Sequence, residues 1–340
     1  MTERVTSMDV AKRAGVSQSA VSRVFTPGAS VSKKTAEKVR VAARELGYRP
    51  NVLARSLITG RSRIIGLVVA YLDNYFYPEV LEKLSTALQA EGYHVMVFMA
   101  SQTAGNIDGV LEEILDYQVD GIVMASVAMS SDLAARCQGA GVPVVLFNRT
   151  QDDQRLSSVC SDNRSGGRKV GAFLLAAGHE QIGYIAGWEG ASTQRDREQG
   201  FREALGEAGV DVSARTVGDF RMDRAAKAAR VMFDRDAPPD AVFVGNDHMA
   251  YAAMDVLRGD LGIRIPEDVS VVGFDDAAPS AWPAYDLTTV RQCADAMVAG
   301  TVRTLLAQIE RPETPPAAMR LKSPLIVRGS ARTPPKGWKE

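Results

Sequence analysis

Four polar side chains near the start of the chain could form hydrogen bonds with the edges of DNA bases. They lie at i, i+1, i+4 and i+5 and are Gln18, Ser19, Ser22 and Arg23. On an α-helix this spacing places all four on one side. Their amide, hydroxyl and guanidinium groups can pair with base edges in the major groove. The pattern therefore predicts a helix with a polar face suited to reading DNA.

A second short helix must hold this face in position. One side of residues 6–14 is apolar, with Val10, Ala11 and Ala14. Gly15 then makes a tight corner, and Ser17 is placed to cap the polar helix. The side of the polar helix away from its donors carries Val21, Val24 and Phe25. This arrangement predicts a helix-turn-helix.

A third helix is predicted over residues 32–46. It carries a single apolar stripe made of Ala36, Val39, Ala43 and Leu46. Packing of this stripe on the first two helices closes a small three-helix head. Proline at position 50 ends the helix, because the residue before proline disfavours helical geometry.

Charge is divided unevenly along the chain. The first 63 residues hold 13 Lys and Arg against 4 Asp and Glu, a net charge of +9. The remaining residues hold 27 basic and 37 acidic side chains, a net charge of −10, so the whole chain carries only −1. A basic head on an acidic body indicates a polyanionic partner for the head.

After residue 63 apolar runs alternate with helical stretches. The runs predict buried strands at 64–69, 93–99, 121–125, 142–147, 182–186, 241–244 and 269–273. The intervening patterns predict helices at 78–91, 107–117, 131–140, 164–178, 194–209, 223–234 and 247–258. Such alternation is typical of an α/β fold with parallel sheets. At about 270 residues the body is long enough for two subdomains.

Polar and aromatic residues follow four of the predicted strands. Ligands of open α/β sheets bind at the carboxyl ends of the strands, so these residues are candidate ligand contacts. Carboxylates, amides and guanidinium groups together suit a polyhydroxylated ligand. The candidates are Asp73, Asn74, Phe76, Tyr77, Asn148, Arg149, Asn246, Asp247 and Asp275.

Structural roles compete with binding at several of these positions. Asp247 could cap the helix that follows it, and Asp73 could belong to a turn. Asp276, beside Asp275, is interpreted as structural. These alternatives stay open at the level of sequence.

Several function classes find no support in the chain. No secretory signal and no apolar stretch of about 20 residues is seen, which favours a cytoplasmic protein without a membrane segment. Three distant cysteines, Cys137, Cys160 and Cys293, fit reduced thiols, two of them buried. The three histidines lack metal-ligand spacing. No nucleophile with a base stands out, so neither a catalytic residue nor a cofactor or metal is expected.

The chain resembles the LacI/GalR family of transcription regulators. The segments that carry the resemblance are Asp9-Val10-Ala11, Ala14-Gly15-Val16-Ser17, Val21-Ser22-Arg23-Val24, Val31-Ser32, Leu46-Gly47-Tyr48-Arg49-Pro50-Asn51, Ala54-Arg55-Ser56-Leu57, Ile65-Gly66-Leu67, Gly245-Asn246-Asp247 and Gly273-Phe274-Asp275-Asp276. Their order and spacing match the family over nearly the whole chain.

For the head, the resemblance implies a DNA-binding domain over residues 1–50 and a hinge helix over 51–62. In similar proteins the hinge orders on DNA, pairs with its copy in a dimer and inserts a leucine into the minor groove. Leu57 holds that position here, with Asn51 and Ala54 on the same segment. Thr6, Ser17 and Ser32 are expected on phosphates. An ordinary linker is the alternative for Leu57.

For the body, the resemblance implies two lobes like those of periplasmic sugar-binding proteins, over residues 63–330. Lobe one would comprise about 63–162 and 293–320, and lobe two about 163–290, with a flexible tail over 331–340. Arg197 matches an arginine that binds effector, Phe220 an aromatic platform and Asp275 a ligand carboxylate. Phe76 and Tyr77 match pocket positions. A surface position for Arg197 and a core position for Phe220 are the alternatives.

These expectations combine into one function. The chain is expected to be a homodimeric DNA-binding regulator, a repressor rather than an activator, that recognises a pseudo-palindromic double-stranded operator under control of a small molecule. A sugar or sugar acid is the favoured effector. The alternatives are a purine- or nucleoside-responsive member of the same family and, from other classes, a solute-binding receptor or an enzyme.

Overall fold

The protein divides into two compact units, Met1–Ser62 and Arg63–Glu340. A computed structural model describes residues 5–26, 29–49, 60–100, 107–127, 130–151, 153, 155–336 and 338. The predicted hinge contacts Asn51, Ala54 and Leu57 lie outside the described residues.

Among the residues that the structure describes, the first unit contains three helices around one apolar core. They are α1 (Ser7–Ala14), α2 (Gln18–Val24) and α3 (Lys33–Leu46). Val10, Val21 and Val39 meet at its centre and are almost fully buried. Gly15 and Gly47 end α1 and α3 with φ angles of 64° and 65°, a left-handed conformation that favours glycine. The predicted helix-turn-helix head is confirmed.

The second unit alternates strands and helices along the chain. Its elements are β1 (Ile64–Val69), α4 (Phe76–Ala90), β2 (His94–Met99), α5 (Ile107–Asp116), β3 (Gly121–Ala125), α6 (Ser131–Gly139), β4 (Val144–Phe147), β5 (Ser157–Ser161), α7 (Asn163–Ala176), β6 (Ile182–Ala186), α8 (Ser192–Glu207), β7 (Ala214–Val217), α9 (Met222–Phe233), β8 (Ala241–Val244), α10 (Asp247–Asp255), β9 (Ser270–Asp275), β10 (Thr288–Arg291), α11 (Ala294–Glu310), β11 (Ala318–Leu321) and β12 (Leu325–Ile326).

The strands form two six-stranded sheets, one in each lobe. Lobe one has the order β11-β5-β4-β3-β1-β2, and lobe two has β12-β10-β9-β8-β6-β7. Every pairing is parallel except that of β12 with β10. Helices cover both faces of each sheet, which is why the central strands are apolar throughout. The predicted two-lobed α/β fold with parallel sheets is confirmed.

The chain passes between the lobes three times. The passages lie between β5 and α7, between β10 and α11, and between β11 and β12. Helix α11 returns to lobe one, where Met297 and Leu305 enter the core. Hydrogen bonds join the three passages to one another, from Ser161 Oγ to Gln292 Oε1 and from Cys293 Sγ to the Lys322 carbonyl.

Three described residues of the segment 331–340, where a flexible tail was expected, contact lobe two. The Trp338 ring packs on Phe173 with centroids 5.6 Å apart. Arg332 bonds to His179 Nδ1 at 2.8 Å, and Ala331 is buried in lobe two. The sequence suggested a polar, proline-rich tail because its anchoring groups are few and widely spaced.

Two further sequence expectations concern membranes and thiols. Among the described residues, no helix combines the length and apolar character needed to cross a bilayer. Cys137 and Cys160 are buried, Cys293 is partly exposed, and all three are free thiols. The expected pattern of two buried thiols is confirmed.

Glycines bring α7 and α8 unusually close together. A Cβ atom at Gly167 would lie 2.0 Å from the carbonyl oxygen of Arg197, and one at Gly200 would lie 1.9 Å from that of Arg164. Only residues without a side chain allow the two helix backbones to touch in this way. The close approach sets the depth at which Arg197, on α8, enters the protein.

Alanine substitutions at two glycines should therefore have opposite effects. Gly167→Ala forces the helices apart and should lower the free energy of unfolding by about 1–3 kcal/mol or more. Gly206, on the neighbouring helix α8, is exposed and has no atom within 4 Å of a Cβ, so Gly206→Ala should raise the free energy of unfolding by about 0.5–1 kcal/mol. Urea denaturation of both variants measures the pair. Equal effects would show that the helix contact does not require glycine.

Candidate functional site

The polar face of α2 is exposed as the spacing predicts. Gln18, Ser19, Ser22 and Arg23 all face solvent, whereas Val21 on the other side is buried. Gln18 Nε2 also donates to Ser7 Oγ at 2.9 Å, which joins the starts of α1 and α2. The head thus presents a rigid helix with four adjacent polar side chains.

The three residues expected on phosphates begin the three helices. Thr6 forms a capping box with Asp9, Ser17 Oγ accepts from the Ala20 amide at 3.3 Å, and Ser32 Oγ accepts from the Thr35 amide at 3.2 Å. Their hydroxyl groups therefore serve first as helix caps. Helix amino ends also attract phosphate through free N–H groups and the helix dipole, so both roles fit these positions.

In the body, Arg197 lies at the centre of the cleft floor. Its Nε donates to Asn163 Oδ1 at 2.8 Å and its Nη1 to the Gly245 carbonyl at 2.6 Å, while its Nη2 lies 3.5 Å from Asp275 Oδ1. The guanidinium stacks on the Phe274 ring at 3.7 Å. Only 2% of Arg197 is exposed, so the alternative of a surface arginine is wrong.

Asp275 connects this arginine to the passages between the lobes. Gln292 Nε2 donates to Asp275 Oδ1 at 2.7 Å, and Ser161 Oγ donates to Gln292 Oε1 at 3.0 Å. Burial raises the pKa of Asp275, while Arg197, Gln292 and Asn74 oppose that rise. Ser161 ends β5 of lobe one and Asp275 ends β9 of lobe two, so the network spans both lobes.

Tyr77 and Asn148 line the cleft from lobe one. Asn148 Nδ2 donates to Tyr77 Oη at 3.0 Å, and that hydroxyl also bonds to Ser126. Asn148 Oδ1 is buried without a partner and can accept a hydrogen bond from a ligand. Phe76, expected beside them, instead stacks on Phe147 at 6.4 Å within the lobe-one core, where it supports packing.

Arg149 reaches from lobe one to lobe two. Its Nη1 donates to Thr193 Oγ1 at 2.8 Å, and the next residue, Thr150, donates its amide to Ser192 Oγ at 3.0 Å. The guanidinium carbon lies 6.0 Å from the ring centroids of both Trp188 and Phe220. Phe220 is buried at the edge of the lobe-two core and turns toward this arginine. The hydrogen bonds of Arg149 and Thr150 to the start of α8 thus join the two lobes along one side of the cleft.

Asp247 is not the cap of the helix that follows it, which was one of the two roles expected of this residue. Asn246, rather than Asp247, caps α10 by accepting from the Met249 amide at 3.0 Å. The Asp247 carboxylate accepts from the Ala277 amide at 3.0 Å and from the hydroxyls of Ser280 and Thr289 at 2.6 Å each. These bonds involve both carboxylate oxygens, so Asp247 connects α10 to the segment after β9 and to β10.

Asp73 and Asp276 lie at the margins of the cleft. The Asp73 side chain is 67% exposed, and its Oδ2 is 3.6 Å from Nε2 of His248, a histidine whose pKa burial lowers. Asp276 accepts from Arg291 and from Arg328, at 2.5 and 2.7 Å. These ion pairs favour the structural interpretation of Asp276.

Sequence reasoning missed four residues of this site. Ser161, Asn163, Thr193 and Gln292 hold the arginines and Asp275 in place. Ser161 and Asn163 lie at the passage between β5 and α7, where the sequence carries no recognisable binding motif. Among the described residues no group of His, Cys, Asp and Glu could hold a metal ion.

Head and body together define a class of protein, one that pairs a DNA-binding helix-turn-helix with a two-lobed small-molecule-binding fold. Residues 6–51 match the family model for bacterial regulatory proteins, lacI family, and residues 172–331 match that for a periplasmic binding protein-like domain. The HTH-type transcriptional regulator CelR of Thermobifida fusca is 34% identical over 330 residues, covering 94% of this chain and 96% of CelR. The chain belongs to the LacI family of transcriptional regulators, which are not enzymes.

Solved structures agree with this assignment. A CelR–cellobiose complex is 33% identical with a TM-score of 0.73, covering 96% of this chain and 100% of that one. The lac repressor dimer bound to operator and the anti-inducer ONPF is 27% identical with a TM-score of 0.87, covering 96% and 99%. Both align along nearly the full chain, head included.

Removing the Asp247 charge should change how stability depends on pH. Burial and repulsion from Asp275 raise the pKa of Asp247 from 3.8 to about 7. The folded protein then holds a proton that the unfolded chain has released, so this contribution to the free energy of unfolding is lost as pH rises from about 4 to about 7. Asparagine has no such proton.

The free energy of unfolding of wild type minus that of Asp247→Asn should accordingly fall by about 1–3 kcal/mol across this window. Urea denaturation of both proteins at several pH values measures the difference, and groups that do not interact with Asp247 cancel. A difference that stays constant or rises with pH would contradict the proposed state of Asp247.

Proposed function

We propose that the protein is a repressor whose affinity for its operator is set by a sugar or sugar acid bound between the two lobes. The observation that carries this proposal is the set of polar groups that both lobes direct into one cleft, chiefly Arg149, Asn148, Arg197 and Asp275. A ligand that contacts both lobes favours one arrangement of them over others. The CelR–cellobiose complex shows that a similar protein binds a sugar.

Operator recognition is proposed for the polar face of α2. Gln18, Ser19, Ser22 and Arg23 would contact base edges, and the starts of the three helices would contact phosphates. The hinge contacts proposed for Asn51, Ala54 and Leu57 would add a minor-groove wedge. Their support is the family match over residues 6–51 and the similarity to CelR over 94% of this chain.

A homodimer is proposed as the operator-binding form. Strand β2 is an edge of the lobe-one sheet, and its Val97 and Met99 are 43% and 51% exposed. An exposed apolar edge strand favours coverage by a second chain. The similar lac repressor is a dimer in its operator complex. Two copies would place two heads on inverted half-sites.

The function is tested by combining DNA selection with a ligand screen. Selection of random DNA fragments by the full chain should yield an inverted repeat, and binding should weaken steeply with salt. Sugars, sugar acids and purine bases are then screened by the melting temperature, which a bound ligand raises by mass action. A ligand that raises the melting temperature should change operator affinity. Selection of no preferred DNA sequence would contradict the proposal.

Arg23→Ala should weaken binding to the selected operator by about 1–3 kcal/mol and relax base preference at one position of each half-site. Arg235 is an exposed arginine of the body, so Arg235→Ala is the charge-matched control and should leave operator binding unchanged. Fluorescence anisotropy on the operator and on single-base variants measures both proteins. Equal weakening on all sequences would show that Arg23 contacts a phosphate instead.

A further inference from the structure

Arg149 is a buried cation without a carboxylate partner. Only 3% of the residue is exposed, and its Nε is buried without a hydrogen-bond partner. Its one side-chain bond to the protein goes to a neutral hydroxyl, Thr193 Oγ1. In the part of the chain that the structure describes, no carboxylate pairs with it. A buried charge that lacks a counter-charge is costly, so such a group points to a missing partner.

Arg197 shows by contrast how this protein satisfies a buried arginine. All three of its nitrogen groups face an oxygen of the protein, and one of these oxygens belongs to Asp275. Arg149 receives no such compensation. Burial lowers the pKa of Arg149, and repulsion from Arg197 acts in the same direction, whereas the nearby Tyr71 and Tyr77 oppose the shift. Of the two buried arginines described in the cleft, Arg197 is paired with a carboxylate and Arg149 is not.

The amino end of helix α8 adds positive potential at the same place. This 16-residue helix begins at Ser192, and Ala191 before it supplies no side-chain cap. Its first two residues, Ser192 and Thr193, are both buried against lobe one. Uncapped amides and the helix dipole attract an anion. The partly unpaired guanidinium of Arg149 lies against Thr193, so two independent features converge on one point.

We propose that the cleft ligand carries an anionic group, a carboxylate or a phosphate, which binds between the Arg149 guanidinium and the amino end of α8. This inference rests on the proposed function of the cleft and narrows its ligand class. Trp188 and Phe220, each 6.0 Å from the guanidinium carbon, supply aromatic surfaces for the ring of such a ligand. Asn148 Oδ1 supplies an acceptor for one of its hydroxyls.

Matched sugars test the proposal on the full chain. Glucose, glucuronate and glucose 6-phosphate differ at one carbon, as do galactose and galacturonate. Their affinities are measured by calorimetry for wild type, Arg149→Met and Arg221→Met. Methionine removes the charge of Arg149 at similar bulk. Arg221 is an exposed arginine of lobe two, so Arg221→Met is the matched control.

An acidic or phosphorylated sugar should bind wild type about ten- to hundredfold more tightly than its neutral partner. Arg149→Met should remove that preference, and Arg221→Met should keep it. Tighter binding of the uronates would identify the anionic group as a carboxylate, and tighter binding of glucose 6-phosphate would identify it as a phosphate. Equal or tighter binding of the neutral sugars, or a preference that survives Arg149→Met, would overturn the proposal.

Small anions provide a readout that does not depend on the sugar ring. Sulfate and acetate, compared with chloride at equal ionic strength, should raise the melting temperature of wild type and of Arg221→Met but not of Arg149→Met. This result would support the anion site even if no sugar of the set binds. Absence of binding by both the sugars and the small anions would overturn it.

The ligand-free protein gives a second check. Arg197→Met should lower the melting temperature far more than Arg149→Met, because only Arg197 leaves a buried carboxylate unpaired. Equal falls in melting temperature for the two variants would contradict the inference that Arg149 lacks a counter-charge. Selection of operator DNA is carried out on the same preparations. Failure to select DNA would count against the proposed regulator but not against the anion site. Failure to bind anions would count against the anion site but not against the proposed regulator.

Discussion

The buried pair of Arg197 and Asp275 is the constraint on which the body depends. A guanidinium that is 98% removed from solvent must find acceptors, and this one finds Asn163, Gly245 and Asp275 on three different elements. Its depth is possible because α8 lies directly on α7 at Gly167 and Gly200. The helix packing and the cleft chemistry are thus parts of one arrangement, since neither can change without leaving a buried charge unsatisfied.

The same pair connects the cleft to the segments that join the lobes. Asp275 accepts from Gln292, which lies between β10 and α11, and Gln292 accepts from Ser161 at the end of β5. Both passages carry the chain from one lobe to the other. A ligand that competes for these hydrogen bonds would change the relative populations of the lobe arrangements. By the same free energy, a change in those populations would alter the affinity for the ligand.

Local pattern was enough to predict the head and the order of elements in the body. The period of α2 identified its exposed face, and apolar runs identified seven strands. Short polar strands such as β5 (Ser157–Ser161) and β10 (Thr288–Arg291) were not predicted, because they lack an apolar run. They are buried by the strands beside them rather than by their own hydropathy. The hydrogen-bond partners of buried side chains could also not be predicted from the sequence. Asp247 accepts hydrogen bonds from groups 30 to 42 residues away along the chain, and no local sequence pattern encodes such partners.

The most direct test of this account is the change in operator affinity caused by a compound that raises the wild-type melting temperature, measured for wild type and for Arg197→Lys. Lysine keeps the charge but cannot reach three acceptors in a plane. We expect Arg197→Lys to bind operator normally without the compound and to lose most of the response to it. A full wild-type response in Arg197→Lys would contradict the central position given to the Arg197–Asp275 pair.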